Sequence, residues 1–129
     1  MLMTPGQLVD SGQPFVLADT ALADSFRYWT GRSGSRYLFR VTGIHDMAET
    51  YGHVVIAARR MPDGRRTALW VGLGGTLEAF ADISAAVSAG ADEIHVHALA
   101  ETGRARAEAI GDLREAALDA SPPPFQAAA

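Results

Sequence analysis

Apolar and β-branched residues in this chain form short runs that predict strands, and two longer stretches with helical spacing follow them. The first strand signal is a pair of aromatic-rich runs within residues 26–44, on either side of the segment TGRSGS. Glycine and serine favour a turn there. The pattern predicts a β-hairpin whose second strand covers about residues 36–43. A short edge strand is also expected at FVLA, residues 15–18.

A second hairpin is predicted over residues 53–73. HVVIAARR (53–60) is a β-branched, apolar run, and ALWVGL (68–73) is its returning partner. The sequence Pro-Asp-Gly between them is a turn signal, because Pro presets φ and Gly accepts positive φ. The connection HDMAETYG, residues 45–52, has room for a single helical turn.

Two helices and a fifth strand are predicted in the second half. Helical spacing begins after Thr76, a suitable N-cap, and stops at Gly90. Its predicted core-facing positions are Leu77, Phe80, Ile83, Ser84 and Val87. DEIHVHAL (92–99) alternates and predicts a strand. Thr102 is placed to cap a second helix over 104–119, which the prolines of SPPP (121–124) would end. The inner face of that helix is predicted at Ile110, Leu113 and Ala117.

This element order predicts an α+β fold, with a mainly antiparallel sheet flanked by two principal helices. At 129 residues the chain is expected to be a single domain, 1–129, large enough to bury a core. The absence of cysteine excludes disulfides and thiolate metal sites. No apolar run has membrane-spanning length, and the start of the chain is unlike a secretory signal. A bacterial-type cytoplasmic protein without a membrane partner is expected.

Charge is unevenly distributed along the chain. Residues 1–66 carry eight Arg and six acidic residues, for a net +2, whereas residues 67–129 carry three Arg and nine acidic residues, for a net −6, which sum to −4. A strongly basic domain is the usual electrostatic footprint of a bulk nucleic-acid binder. The sequence therefore argues against that class and leaves room for a local basic patch in the first half.

The first hairpin carries that patch, since FRYWTGRSGSRYLFR combines four arginines and five aromatic residues with no acid. The arginines are Arg27, Arg32, Arg36 and Arg40. Bases stack on aromatic rings and phosphates pair with Arg, so this composition is typical of a surface for single-stranded nucleic acid or an acidic protein partner. Strand alternation puts Arg36, Leu38 and Arg40 on one face. The alternative interpretations are an ordinary strand pair with solvated Arg, or an edge that pairs with a second copy in a homodimer.

The glycine-rich stretch ALWVGLGGTLEAF, residues 68–80, has the order strand, turn and helix that many phosphate sites share. A nucleotide-binding P-loop needs a Lys after its last glycine, and this chain has no Lys. The glycines also lack the spacing of a dinucleotide-binding turn. A tight structural turn remains, with an anion site at the helix start as the alternative.

Three histidines are candidates for a metal site. His95 and His97 flank a single residue in a predicted strand, so both point to one face. With His53 on a neighbouring strand and a carboxylate, they would suit zinc or iron. The alternative interpretation is that both histidines line a sheet face beneath a helix.

The order of elements from residue 52 onward resembles the GIY-YIG nuclease domain. GHVVIA (52–57) would stand for the family's first motif and WVG (70–72) for its second, and Leu77 occupies a position where the family often has Leu. The acidic last helix and the proline-rich segment after it also agree. The resemblance covers roughly residues 52–126 and leaves 1–51 as an N-terminal extension that carries the first hairpin.

The resemblance implies that nuclease chemistry is lost. The family uses two tyrosines, a helix Arg and a metal-bound Glu to activate water and stabilise charge at the scissile phosphate. The matching positions here are Val54 (or Val55 if the alignment slips), Trp70 beside Gly72, Phe80, and Glu115, with Gly111 or Glu108 as alternatives for the last.

We therefore expect a non-catalytic module that binds nucleic acid or a protein partner and has no resident cofactor. The alternatives are a metal-dependent hydrolase that uses the histidine pair and a divalent cation, and a small-molecule-binding domain.

Overall fold

The computed structural model describes residues 2–3, 7–14 and 23–119. Within them, five strands and two helices follow the predicted order, and two short 3-10 turns lie at Ala23–Ser25 and Met47–Thr50. The elements are β1 (Phe26–Thr30), β2 (Arg36–Gly43), β3 (Val54–Arg60), β4 (Arg66–Leu73), α1 (Leu77–Ser88), β5 (Glu93–His97) and α2 (Gly103–Asp119). The predicted α+β fold is confirmed. The edge strand predicted at 15–18 and the helix end predicted at 121–124 lie outside the described residues.

The five strands form one antiparallel sheet in the order β1-β2-β5-β3-β4. β5 lies between the two hairpins, and His95 is the point where they meet: it is opposite Val41 of β2 and opposite Ile56 of β3. The first hairpin, which belongs to the N-terminal extension, is therefore part of the same sheet as the rest of the chain.

A segment before the first strand joins the two edges of this sheet. On one side, Ala68 of β4 donates to the carbonyl of Leu8 at 2.8 Å, and Asp10 donates to the carbonyl of Arg66 at 2.9 Å. On the other side, Tyr28 of β1 accepts from Ser11 and donates to Gly12, at 2.7 and 2.9 Å. Because residues 8–12 bind both edge strands, the sheet is held in a curl. We call residues 8–12 the bridging segment.

The two helices pack on opposite faces of the sheet. The α1 core joins Ala79, Ile83 and Ala86 to Val55, Ala57, Leu69, Trp70, Ala91, Ile94 and Val96. The α2 core joins Ala109, Leu113 and Ala117 to Leu8, Trp29, Phe39, Val54, Ile56, Ala58, Ala68 and Val71. We call the sheet surface under α2 the inner face. Among the described residues, no helix is both long and apolar enough to cross a membrane.

The predicted N-caps of both helices are confirmed, but the buried stripe of α1 differs from the prediction. Thr76 Oγ1 accepts from the N–H of Ala79, and Thr102 Oγ1 accepts from that of Ala105, both at 3.0 Å. The prediction that Leu77, Phe80 and Ser84 face the core is wrong, because all three are exposed, Leu77 to 89% and Phe80 to 55%. The small residues Ala79 and Ala86 let the helix backbone approach the sheet, which turns the two larger side chains outward.

The glycine-rich turn before α1 is explained by close packing. A Cβ on Gly74 would lie 2.2 Å from the carbonyl oxygen of Thr50, and one on Gly72 would lie 2.3 Å from the Trp70 ring. Gly75 has a φ of +106°, a region that side chains disfavour. These contacts support the interpretation as a tight structural turn.

Candidate functional site

The first hairpin presents a surface of mixed aromatic and basic character on the side opposite α2. Cross-strand pairs alternate along it, with Phe26 opposite Arg40, Tyr28 opposite Leu38 and Thr30 opposite Arg36. The prediction that Arg36, Leu38 and Arg40 share one face is confirmed. We call these six residues the outer face. It adds two aromatic residues of β1 to the arginines that the sequence placed on β2.

No helix covers the outer face within the described residues. The core beneath α1 draws its sheet residues from β3, β4 and β5, and none from the first hairpin. Phe26, Tyr28 and Leu38 are consequently half-buried, and Arg36 and Arg40 are exposed. An uncovered sheet surface with accessible rings is one on which a flat ligand can stack.

Both outer-face arginines have a defined neighbour. The Arg36 guanidinium lies 4.0 Å from the centroid of the Tyr28 ring, a cation–π contact that extends the planar surface. Arg40 Nη2 is 2.9 Å from Glu49 Oε2 in an ion pair whose side chains are 45% and 46% exposed. Such an exposed pair is weak, so Arg40 can exchange it for a stronger anion.

A small apolar cleft borders the outer face where β1 begins. Its volume is about 180 Å³, and Phe26, Leu38 and Arg40 form one side of it. Leu99, which follows β5, lines the cleft and is 68% exposed. The cleft places apolar surface directly beside a guanidinium.

Arg27 does not share a surface with Arg36 and Arg40. Alternation along β1 puts it on the inner face, where it is only 5% exposed. Its guanidinium is 2.7 Å from Asp10 Oδ2 in the bridging segment and donates to the carbonyl of Gly64 at 3.2 Å. Arg32 lies in the hairpin turn, is exposed, and has its Nη1 3.7 Å from Glu115 Oε2.

A chain of polar groups crosses the inner face beneath α2. The indole N–H of Trp29 donates to Nδ1 of His95 at 3.0 Å, and His95 Nε2 is 3.0 Å from Glu93 Oε1. Arg66 Nε donates to the same carboxylate at 3.0 Å. Because an indole can only donate, Nδ1 must be unprotonated and Nε2 carries the hydrogen. His95 is therefore neutral.

The pKa directions agree with this assignment. Burial is the main cause that lowers the pKa of His95 below 6.5, and it outweighs the opposing effect of Glu93. Burial raises the pKa of Glu93, but hydrogen bonds from His95 and Arg66 outweigh it and bring that pKa down to about 2. The chain thus holds an ionised glutamate against a neutral histidine.

The histidines do not assemble a metal site. His95 and His97 share one face, as predicted, but both are buried on the inner face. His97 Nδ1 lies 2.8 Å from the carbonyl of Leu38. His53 falls one residue before β3, with its Nδ1 buried and without a hydrogen-bond partner. Across residues 2–3, 7–14 and 23–119, no three His or acidic side chains form a group that could hold a metal ion.

Asp112 fastens the hairpin turn to α2, an arrangement for which the sequence offers no signal. Its carboxylate accepts from the N–H and Oγ of Ser33 at 2.8 and 2.6 Å and from the Tyr37 hydroxyl at 2.8 Å. Burial and this carboxylate raise the pKa of Tyr37 to about 12. A Cβ on Gly31 would lie 2.0 Å from Asp112 Oδ2, so the turn needs glycine there.

The positions that the resemblance matches to nuclease motifs are distributed over the sheet and both helices. Val54 lies in the α2 core and Trp70 in the α1 core, on opposite faces of the sheet, whereas the alternative Val55 lies with Trp70 in the α1 core and directly opposite Gly72. Gly72 lies two residues after Trp70 in β4, so close to the indole that a Cβ on Gly72 would be 2.3 Å from the ring. Phe80 is exposed on α1, whereas Glu115 is exposed on α2.

An apolar groove lies at the start of α1. Its volume is about 400 Å³, and Met47, Tyr51, Leu77 and Phe80 are among its walls. Tyr51 is 70% exposed. Leu77 and Phe80, which face away from the core, thus form part of its wall.

Comparison with protein-family models, with curated proteins and with solved structures gave no match.

Proposed function

We propose that this protein is a non-catalytic module that binds single-stranded nucleic acid on the outer face. The observation that carries the proposal is the placement of two arginines and two aromatic rings on one sheet surface that no described helix covers. The proposal includes a cytoplasmic location and descent from a GIY-YIG-like domain that has lost its nuclease groups.

The chemistry of the outer face suits a single strand better than a duplex. Unpaired bases offer flat π surfaces, which stack on rings such as Tyr28 and on guanidinium planes such as Arg36. The cleft between Phe26 and Leu99 accepts an apolar or planar group, and Arg40 stands beside it for the adjoining phosphate. Stacking of this kind is sequence-tolerant because every base has a π face.

The non-catalytic part of the proposal rests on the side chains at the motif positions. Val54 and Trp70 have no hydroxyl to orient water, and Phe80 has no charge to neutralise a phosphate. The buried histidines are committed to Trp29, Glu93 and a backbone carbonyl rather than to a cation.

Fluorescence anisotropy with labelled single strands of about 12 nucleotides tests binding. Two phosphate contacts on a single strand predict an affinity that falls roughly sevenfold between about 50 and about 200 mM NaCl. Arg36→Ala and Arg40→Ala should each weaken binding and reduce the salt slope by about 0.7. Arg104→Ala is the matched control, since Arg104 is an exposed arginine on α2 whose Nε lies 3.1 Å from Glu108.

Three results would contradict the proposal. Equal losses for Arg36→Ala and Arg104→Ala would show that only overall charge matters. Absence of saturable binding at the lower salt concentration would exclude nucleic acid and leave the outer face to a protein partner. Strand cleavage with magnesium or manganese that Glu115→Ala abolishes would overturn the non-catalytic assignment.

A second candidate function is the binding of a small apolar molecule, favoured by the groove of about 400 Å³ at the start of α1. The exposure of Leu77 and Phe80 gives such a ligand two apolar walls. Saturable binding of an environment-sensitive dye that Phe80→Ser abolishes would support this function. Unchanged dye binding in that variant would exclude the groove.

A further inference from the structure

We propose a second binding site, for the phosphate group of a small hydroxyl-bearing compound, in a cleft formed around the β3–β4 turn. The cleft has a volume of about 510 Å³, and four arginines line it together with Asp24, Asp63, Gln13 and Gly64. The arginines are Arg27, Arg60, Arg65 and Arg66. None of the six outer-face residues lines this cleft, so the site is independent of the nucleic-acid proposal.

Two of the arginines form a rigid floor. The guanidiniums of Arg27 and Arg66 both donate to the carbonyl oxygen of Gly64, at 3.2 and 2.7 Å. Asp10 and Glu93 fix them from behind, and the two arginine side chains are only 7% and 2% exposed. A floor held in this way requires no reordering when a ligand arrives, which lowers the entropic cost of binding.

The other two arginines stand at the mouth and, within the described part of the chain, have no opposite charge bound to their guanidiniums. Arg60 and Arg65 are exposed. The nearby carboxylates bind their backbone N–H groups instead: Arg60 donates to Asp92 and Arg65 to Asp63, both at 2.9 Å. Their guanidiniums are therefore available to a ligand.

The strand register brings two guanidinium-bearing residues together at this end of the hairpin. Arg60 lies directly opposite Arg66 across β3 and β4, and Glu93 balances only one of these two charges. A phosphate between the guanidiniums would balance the other, and the planar fork of Arg suits bidentate contact with phosphate oxygens.

The carboxylates in the cleft indicate what the rest of the ligand carries. Asp24 Oδ1 accepts from the Gln13 side chain at 3.3 Å, and Asp63 Oδ1 accepts from the Arg65 N–H. Each has a second oxygen for a hydroxyl donor. Guanidiniums for a phosphate and carboxylates for hydroxyls are together the recognition chemistry of a phosphorylated sugar.

Titration with ribose 5-phosphate, inorganic phosphate and ribose tests the site, with the arginine Nε–H signals followed by nuclear magnetic resonance. We expect saturable binding of ribose 5-phosphate, weaker binding of inorganic phosphate, and none of ribose. Arg60→Ala and Arg65→Ala should each weaken the first by about tenfold, a change of about 1.4 kcal/mol. Both side chains are exposed, so the fold should be retained.

Arg59→Ala is the matched control, since Arg59 is an exposed neighbour that does not line the cleft. The affinity of the Arg59→Ala variant for ribose 5-phosphate should equal that of the parent protein. The site is overturned if no ligand gives saturable shifts, or if Arg59→Ala weakens binding as much as Arg60→Ala. Equal affinities for ribose 5-phosphate and inorganic phosphate would overturn the role given to Asp24 and Asp63.

Discussion

The inner and outer faces of the first hairpin are built from the same residue types, yet their arginines have opposite roles. On the inner face, Arg27 lies next to Trp29 along β1, is buried, and is bound to Asp10. On the outer face, Arg36 lies over Tyr28 and stays exposed. The difference comes from what lies above each face, since α2 and the bridging segment seal one and no described helix covers the other.

This contrast shows that an arginine-aromatic composition does not by itself define a binding surface. A buried guanidinium that already has a carboxylate contributes to the fold and has few donors left, whereas an exposed one keeps most of its donors for a ligand. The four predictions that follow test the contrast, from the largest expected effect to the smallest.

Removal of the inner carboxylate should have the largest effect. Asp10→Ala leaves the guanidinium of Arg27 buried without its counterion, so we expect the free energy of unfolding to fall by about 3–5 kcal/mol. Urea denaturation measures it. Glu49→Ala, which removes the exposed partner of Arg40, should cost only about 0–1 kcal/mol. If Asp10→Ala and Glu49→Ala lowered the free energy of unfolding by similar amounts, the two faces would not differ in the way proposed.

Acid should destabilise the protein through the inner face. The pKa of Glu93 is about 2 in the folded protein against 4.5 in the unfolded chain. The stability from its ionised form is present above pH 4.5 and is lost as pH falls towards 2, to a total of about 3 kcal/mol. The pKa of His95 is also lowered in the folded protein. Below pH 6.5 His95 therefore takes up a proton in the unfolded chain while it stays neutral in the folded chain, and the free energy of unfolding begins to fall there.

Urea denaturation at a series of pH values separates these two contributions. Glu93→Gln should flatten the loss below pH 4.5, and His95→Gln the earlier loss that begins near pH 6.5. Parallel pH profiles for the parent protein and Glu93→Gln would show that this carboxylate does not hold the inner face.

Loss of an outer-face ring should weaken nucleic-acid binding. Tyr28→Ala removes a stacking surface, for which we expect a cost of about 1–3 kcal/mol in anisotropy titrations, whereas Tyr28→Phe keeps the ring and should retain affinity. Tyr37→Phe is the inner-face comparison. It loses the hydrogen bond to Asp112 and therefore stability, but should bind the strand normally. A binding defect in Tyr37→Phe that matches Tyr28→Ala would locate the site elsewhere.

The smallest expected effect is a gain in affinity. Glu49→Gln releases Arg40 from its exposed ion pair, so single-strand binding at low salt should tighten by about two- to fivefold, or about 0.5–1 kcal/mol. Glu108→Gln makes the same change in net charge and releases Arg104 on α2 instead. Equal gains in the two variants would assign the effect to net charge rather than to Arg40.

Local patterns in the sequence were sufficient to predict most of the fold. Turn residues, caps and alternation place the strands and helices correctly because each signal acts within a few residues. The prediction for α1 failed because helical spacing identifies a stripe of apolar positions but not which side of it meets the sheet. Ala79 and Ala86 contribute little to a hydrophobic pattern, yet their small side chains permit the closest approach of the α1 backbone to the sheet.

The candidate site was predictable only on the strand where alternation was clear. The exposed positions of Arg36 and Arg40 can be predicted from the alternation of β2. The burial of Arg27 cannot, because it depends on an ion pair with Asp10, which is distant in the sequence. The Asp112 contacts to Ser33 and Tyr37 have the same origin, since α2 reaches the hairpin turn only after folding. Contacts between distant segments carry no local sequence signal.

The bridging segment has a consequence for how the chain folds during synthesis. Residues 8–12 emerge from the ribosome before every strand of the sheet, yet the backbone groups to which they bind belong to β1 and β4. Residues 11–12 can pair with β1 once Tyr28 has been made, but residues 8–10 remain without their β4 partners until translation has passed residue 68. Until then the segment cannot join the two sheet edges, and unpaired edges are open to other chains. The earliest of these segments to be made thus completes its backbone pairing only after the fourth strand has been made.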